Sequence, residues 1–148
     1  MPKTRRPPGL SESGFVEGTK KVDPAEVVRR YFRLINEEKF DEFFGLFDSN
    51  ASLSAPFGYS GRGLEALKGY YLQVPQYYAE HVDEPVEILA CGDRVSVRIE
   101  FRGRTRKGVP VQFRAADWFR VKDGKILSVE IFFDSYSLYK TVAGASGK

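Results

Sequence analysis

The sequence has 148 residues, of which 42% are hydrophobic and 14% aromatic, and its formal net charge is +3. This composition supplies one buried core, so we expect a single domain without a membrane span. The positive charge lies in residues 1–22, which hold five basic and two acidic residues, and the other 18 basic and 18 acidic residues balance. A neutral folded part lacks the basic surface of nucleic-acid-binding proteins, so we expect no nucleic-acid partner.

Residues 1–22 predict a disordered basic leader, because they are rich in proline, glycine, serine and lysine and contain no apolar run. We therefore expect neither a signal peptide nor a membrane anchor there. Cys91 is the single cysteine, which excludes an internal disulfide and a cysteine-based metal cluster. The cytoplasm is the location that this pattern favours.

Three helices are predicted in the first half of the chain. Asp23 and Pro24 form a helix start, and Glu26 completes a capping box. The first helix carries an apolar face that consists of Val27, Val28, Tyr31, Leu34 and Ile35. A second, short helix is indicated by the spacing of Phe40, Phe43, Phe44 and Phe47. The third begins near Gly63 and weakens or stops at Pro75.

A short strand is predicted over residues 51–55, followed by a loop over residues 56–63. After Pro75 the apolar period changes to two, which indicates strands separated by tight turns, over residues 82–90, 94–103, 109–121 and 125–136. Short turns make these strands an antiparallel meander. The predicted fold class is α+β: about three N-terminal helices pack on a strongly bent, mostly antiparallel sheet. This domain spans residues 23–140, and residues 141–148 form a flexible tail.

Several motifs, taken in chain order, resemble those of one protein family. They are the segment 30–36 (RYFRLIN), Pro56-Phe57-Gly58, the segment 116–121 (ADWFRV) and the segment 123–126 (DGKI). Together they resemble the SnoaL-like and ketosteroid isomerase-like proteins of the nuclear transport factor 2-like superfamily. The resemblance implies a cone-shaped fold around a hydrophobic pocket, a small apolar ligand and a homodimer.

The resemblance also implies roles for two residues. Tyr31 matches the oxyanion-hole tyrosine of the isomerases, and Asp117 matches the aspartic acid that stays protonated beside it and donates a hydrogen bond to the substrate carbonyl. The general-base aspartate of the isomerases falls on Ala55, and a methyl group cannot transfer a proton. We therefore expect no ketosteroid isomerase activity of the familiar kind.

Strand alternation supports an unusual environment for Asp117. It shares a face with Val111, Phe113, Ala115, Phe119 and Val121. A carboxyl group on an apolar face takes a raised pKa or finds a partner. A site for a ligand and a buried structural aspartate both remain open, and Tyr31 is equally compatible with plain core packing.

Aromatic side chains are the candidate ligand contacts: Phe57, Tyr59, Tyr71, Phe113 and Phe133. Packing in the core or at the pocket mouth is the alternative role for the tyrosines. Asp134 follows Phe133 and points to the opposite side, which favours a structural or rim position.

The chain offers no motif for a metal or an organic cofactor. His81 is the single histidine, so it cannot form a histidine metal site, and a role as general base is the lesser alternative to a structural one. The limonene epoxide hydrolases, which use a carboxylate pair and an arginine, are a poorer template, because their last-strand aspartate falls near Ile131. We expect no cofactor.

Two hypotheses for function follow. One is a small-molecule pocket protein that performs cofactor-free acid–base chemistry, of an isomerase, cyclase or lyase type, on an apolar carbonyl compound. The other is a non-catalytic module of the same fold that binds a ligand or dimerises. Convergence of the Tyr31 hydroxyl and the Asp117 carboxyl on an open cavity is the geometry that separates them.

Overall fold

A computed structural model describes residues 22–146 of the chain, so the predicted leader lies outside the described residues except for Val22. The described residues form five helices and six strands. In chain order these are α1 (Pro24–Asn36), α2 (Phe40–Phe44), β1 (Phe47–Ala55), β2 (Tyr59–Arg62), α3 (Leu64–Tyr71), α4 (Gln73–Tyr77), β3 (Tyr78–Cys91), β4 (Arg94–Thr105), β5 (Pro110–Lys122), β6 (Lys125–Phe133) and α5 (Ser135–Ser146).

The six strands form one sheet in the order β2-β1-β6-β5-β4-β3. The four long strands β3 to β6 form the predicted antiparallel meander. The exception to antiparallel pairing is β1, which runs parallel to β6 and antiparallel to β2. Helices pack on this curved sheet, so the predicted α+β class is confirmed.

Helix α1 begins as the sequence predicts. The side chain of Asp23 accepts a hydrogen bond from the amide of Ala25 at 3.0 Å, and Pro24 occupies the first turn, where no amide partner is needed. The predicted apolar face is buried against β3, β4 and β5. Tyr31 lies on this face, so its ring belongs to the core.

An aromatic cluster joins the helices to the sheet. At its centre is Phe43, which is fully buried. Its ring centroid lies 5.0 Å from that of Tyr31, 5.3 Å from that of Phe47 and 4.7 Å from that of Tyr71. Edge-on and tilted contacts of this kind add to the free energy of burial. The cluster fills one end of the concave face of the sheet.

Local boundaries in the first half differ from the sequence pattern in three places. Phe47 begins β1 instead of ending α2, because the carbonyl of Leu46 already accepts a sheet hydrogen bond from Ile126 at 2.9 Å. The predicted loop contains β2, which pairs with β1 after a turn with positive φ at Phe57 and Gly58. Pro75 lies in the first turn of α4, where a missing amide hydrogen costs little.

The structure differs more from the sequence prediction near the end of the chain. The strand pattern extends to residue 136, whereas β6 ends at Phe133 and α5 runs through residue 140, where we expected the domain to end. Asp134 starts this helix, since its carboxylate accepts hydrogen bonds from the amide and the hydroxyl of Ser137. Tyrosine, threonine and valine in this segment favour strands, and the cap overrides that preference. The flexibility of residues 141–148 stays a prediction.

The outer face of the sheet is exposed. It carries large apolar side chains, including Trp118 with 56% exposure, Phe132 and Leu89. The homodimer that the resemblance implies stays a prediction. Within residues 22–146, no helix is both long and apolar enough to cross a membrane.

Asn36 fastens the end of α1 to the edge strand β3. Its side-chain amide donates to the carbonyl of Asp83 at 2.8 Å, and its side-chain oxygen accepts from the amide of Asp83 at 2.8 Å. Because β3 is an edge strand, these backbone groups lack a strand partner on that side. The contact therefore supplies hydrogen-bond partners to the backbone amide and carbonyl of Asp83 and holds this residue in place.

We predict that Asn36→Ala lowers the free energy of unfolding by about 1–3 kcal/mol, because it leaves a part-buried donor and acceptor unpaired. Urea unfolding measures the change. Asn50→Ala is the matched control: this asparagine is exposed in β1, and we expect its replacement to change stability by less than about 0.5 kcal/mol. Equal effects of the two substitutions would show that the contact is not structural.

Candidate functional site

The concave face of the sheet and the helices form a cavity with two adjoining parts. The inner chamber has a volume of about 130 Å³ and lies between α1, α3 and the middle of the sheet. The outer chamber has a volume of about 490 Å³ and lies between α4, α5 and the turn before β2. The two chambers share four wall residues, Tyr70, Val74, Tyr78 and Phe133.

The inner chamber contains the ionisable groups. Its wall includes Asp83, Asp117 and the tyrosines Tyr31, Tyr70 and Tyr71, and the rest of the wall is mostly apolar. The outer chamber carries neither a carboxylate nor a basic side chain in its wall. The cavity is thus polar at its inner end and apolar at its outer end.

Asp117 occupies the centre of the sheet. It lies in β5 opposite Val97 of β4 and Ile131 of β6, and it is 4% exposed. Its Oδ1 atom is buried and has no hydrogen-bond partner among the described residues. Burial raises the pKa of this carboxyl group well above its usual range, and the nearby Asp83 carboxylate raises it further. Asp117 therefore keeps its proton to a higher pH than an exposed aspartate does.

Tyr31 and Tyr71 form a hydroxyl pair beside this group. Their oxygens lie 2.7 Å apart, and both residues line the inner chamber. Burial is the main cause that raises the pKa of each phenol, so both keep their protons. One hydroxyl donates to the other, which leaves one hydroxyl hydrogen able to point at a ligand. Tyr31 and Asp117, the two residues that the resemblance singles out, thus line the same small chamber.

Asp83 is the functional candidate that the sequence did not reveal. It lines the inner chamber from β3, and Asn36 holds its backbone. The usual alternation rule misleads here, because the apolar Val82, Val86 and Leu89 of β3 point outward and the aspartate points inward. The alternate spacing of the acidic residues in β3 was the signal available for which of them face inward. The register shift near Tyr78 obscures it, because such a shift changes which alternate residues share a face.

His81 joins Asp83 to the surface. Its side chain is 2% exposed, its Nε2 atom lies 3.2 Å from Oε1 of Glu38, and its Nδ1 atom lies 3.8 Å from Oδ2 of Asp83. Asp83 is the main influence that raises the pKa of the imidazole, burial lowers it, and Glu38 raises it again. Within residues 22–146, no group of three or more histidine, cysteine or carboxylate side chains has a metal-binding arrangement.

The predicted ligand contacts divide between the chambers. Tyr71 and Phe113 line the inner chamber, Phe133 lines both, and Phe57 lines the outer one with 69% exposure. Tyr59 lines neither chamber. Its hydroxyl donates to the carbonyl of Ala66 and its ring packs on Tyr70, so it supports the wall from behind.

Two further positions have clear surroundings. Asp134 is exposed and caps α5, which agrees with an outward position. Ala55 ends β1 with the same parity as the buried Ala51 and Leu53, directly before the outer-chamber residue Pro56. Ala55, which the resemblance matches to the isomerase base, therefore lies by parity on the cavity side of the sheet, but it is in neither chamber wall and carries a methyl group instead of a carboxylate.

The profile of the SnoaL-like domain family matches residues 28–129, which is more than half of the chain. The chain belongs to the SnoaL-like domain family. None of the curated protein sequences matches it significantly. The family match spans α1 through most of β6 and so includes every ionisable group of the inner chamber.

Solved structures show the same fold at low sequence identity. An NTF2-like protein of unknown function from Burkholderia pseudomallei K96243 has a TM-score of 0.74 and 17% identity, covering 80% of this SnoaL-like chain and 95% of its own. A candidate polyketide cyclase from Xanthomonas campestris pv. campestris has a TM-score of 0.76 and 16% identity, covering 80% and 96%. IdmH, a candidate polyketide cyclase from Streptomyces antibioticus, has a TM-score of 0.73 and 17% identity, covering 82% and 99%.

The protonation of Asp117 predicts a pH-dependent stability. Its pKa is raised on folding, so the folded protein holds a proton that the unfolded chain releases above about pH 4. The unfolding free energy should fall, relative to that of Asp117→Asn, by about 1.4 kcal/mol per pH unit from pH 4 up to the raised pKa. At pH 4 and below, before this loss begins, the two proteins should differ by less than about 1 kcal/mol.

Urea unfolding at each pH unit from pH 3 to pH 8 measures these differences. Asp93→Asn is the control with the opposite sign, because the Arg120 guanidinium lowers the pKa of Asp93 and its contribution is lost as the pH falls. If Asp117→Asn instead costs about 3 kcal/mol or more at every pH, Asp117 is an ionised structural partner.

Proposed function

We propose that this SnoaL-like protein binds a small apolar compound that carries a carbonyl group, and that it catalyses cofactor-free acid–base chemistry on it. The observation that supports this most is the buried Asp117 carboxyl group at the polar inner end of the cavity, because its Oδ1 atom has no partner among the described residues. A buried polar atom without a partner is costly, and a ligand would supply the missing hydrogen bond.

The inner chamber suits a carbonyl oxygen that gains negative charge. A protonated Asp117 donates one hydrogen bond, and the free hydroxyl hydrogen of the Tyr31–Tyr71 pair donates another. Neutral donors in a water-poor site stabilise an enolate without the cost of reorganising solvent. These groups therefore favour removal of a proton from the carbon next to the carbonyl.

The outer chamber suits the apolar body of the ligand. Its wall contains Phe57, Val74, Phe133 and Leu138, and its volume of about 490 Å³ lies within the range of small-molecule sites. A ligand that spans both chambers would place its carbonyl at the inner end and its rings at the outer end. IdmH and the Xanthomonas protein, two solved structures of the same fold, are candidate polyketide cyclases, and polyketides are rich in carbonyl groups.

A non-catalytic ligand-binding role is the second candidate. Ala55 favours it, because the position that supplies the base in the isomerases holds a methyl group here. Under this alternative the same donors bind a phenol or a ketone without turnover.

We predict that the protein binds 2-naphthol, an aromatic alcohol whose oxygen resembles that of an enolate, and that fluorescence or calorimetric titration detects it. Asp117→Ala should weaken binding by about tenfold or more, because it removes a donor in a buried site. Asp117→Asn retains a weaker donor and should have an intermediate affinity. Tyr71→Phe should weaken binding severalfold, since the hydroxyl pair then loses a member.

Tyr136→Phe is the matched control, because this tyrosine is 67% exposed and is not part of either chamber wall. Its affinity for 2-naphthol should equal that of the unaltered protein. Absence of binding, or equal binding by all the variants, contradicts the proposed use of the inner chamber.

A further inference from the structure

Three ionisable side chains form a row from the surface to the cavity. Glu38 lies in the turn after α1 with 43% of its side chain exposed, His81 is buried in β3, and Asp83 lines the inner chamber with 28% of its side chain exposed. The separations are 3.2 Å from Glu38 to His81 and 3.8 Å from His81 to Asp83. The first is a hydrogen bond, whereas the second is within ion-pair distance only, and the buried Nδ1 atom of His81 has no hydrogen-bond partner among the described residues.

The backbone fixes both ends of this row. Asn36 binds the amide and the carbonyl of Asp83 at 2.8 Å each. Glu38 takes a φ of 54°, in the left-handed region that favours glycine, and this conformation carries a strain cost for glutamate. Its strained backbone directs a carboxylate toward the buried imidazole, where glycine would offer none.

The other charged side chains around His81 are paired with one another, so Glu38 and Asp83 are the carboxylates that act on the imidazole. Opposite His81 in β4 stands Gly103, and the flanking Arg102 and Arg104 form ion pairs with the outward Glu84 and Glu80. Across the chamber, Asp83 faces Asp117 of β5 and the phenols Tyr31, Tyr70 and Tyr71 from α1 and α3. Two carboxyl groups in one chamber cannot both ionise freely, and Asp117, the more deeply buried, keeps the proton.

We propose that Asp83 is the catalytic base of this chamber, that it takes the part of the carboxylate missing at Ala55, and that His81 and Glu38 position it and connect it to solvent protons. Asp83 would touch the ligand, whereas His81 and Glu38 act through Asp83. This inference rests on the proposed acid–base function and names the base for it.

The proton transfer balances within the chamber. A C–H bond next to the ligand carbonyl breaks, its proton forms an O–H bond on Asp83, and the electron pair moves to the carbonyl oxygen. That oxygen accepts hydrogen bonds from Asp117 and the tyrosine pair. Asp83 then returns the proton to carbon, or exchanges it with solvent through His81 and Glu38. No co-reactant is consumed.

The test uses the full chain and 2-tetralone, an apolar ketone with acidic C–H bonds, in deuterated buffer. NMR measures the exchange of its hydrogen for deuterium above the protein-free rate. Asp83→Asn should lower the protein-dependent exchange rate by about 100-fold or more, the size of a general-base contribution. Its affinity for 2-naphthol should stay within a few fold of that of the unaltered protein, because Asp117 and the tyrosine pair remain.

Glu84→Gln is the matched control, since Glu84 is the next residue of β3 and pairs with Arg102 on the outer face. It should leave the exchange rate unchanged. Exchange that survives Asp83→Asn overturns the assignment of the base. So does the absence of exchange by an unaltered protein that binds 2-naphthol, and this result leaves ligand binding intact. Failure to bind 2-naphthol at all refutes the proposed function itself.

A second measurement separates positioning from mere folding. His81 is the single histidine of the chain, so ¹⁵N NMR observes it without overlap. Asp83→Asn and Glu38→Gln should each lower the pH at which His81 loses its proton, with the larger shift for Asp83. An unshifted titration of His81 in these variants contradicts the proposed connection.

Discussion

The aromatic cluster around Phe43 is the contact on which the cavity depends. It closes one end of the concave sheet with interlocked rings from α1, α2, α3 and β1. Close packing there leaves no room for a ligand, and the uncovered remainder of the curved face becomes the cavity. Tyr31 belongs to both regions, because its ring packs in the cluster while its hydroxyl, paired with that of Tyr71, borders the inner chamber. Packing in the core thus sets the position of a polar group in the site.

The two aspartates of the inner chamber have different electrostatic surroundings. Asp117 lies in the middle of the sheet, where burial raises its pKa and its Oδ1 atom has no hydrogen-bond partner among the described residues, which suits the proposed role of donor. Asp83 lies at the edge strand, beside an imidazole that links it to the surface. In the proposed mechanism the same residue type therefore takes opposite roles, and the difference comes from its distance to solvent and to the imidazole.

Much of the fold was predictable from the sequence, because capping residues and apolar periodicity act locally. The start of α1, the short α2 and the four-strand meander follow from such signals. The position of Asp117 followed from alternation within β5, since a central strand of the sheet packs its apolar face on the helices. The resemblance to a family added Tyr31, which periodicity alone treats as core.

The remaining features depend on contacts that are distant in sequence. In the edge strand β3 the outer face carries apolar residues and Asp83 faces inward. A sequence pattern that assigns the apolar residues of a strand to the core predicts the reverse. The partnership of Glu38 with His81 joins residues 43 positions apart. The parallel pairing of β1 with β6 and the turn into β2 likewise need the assembled sheet. Helix α5 depends on one cap, Asp134, in a segment whose composition favours a strand.

Helix α5 has a consequence for how the specificity of such a protein can change. The ionisable groups lie on α1, α3 and the sheet, whereas α5 contributes Leu138, Tyr139 and Ala143 to the outer wall alone. Substitutions along this helix alter the length and width of the space for the ligand body, and they leave the proton-handling groups untouched. Under the proposed function, the side chains for acid–base chemistry and those that set the size of the ligand therefore lie on separate elements of this chain. Variants of one helix could then change the ligand while the proposed reaction centre is conserved.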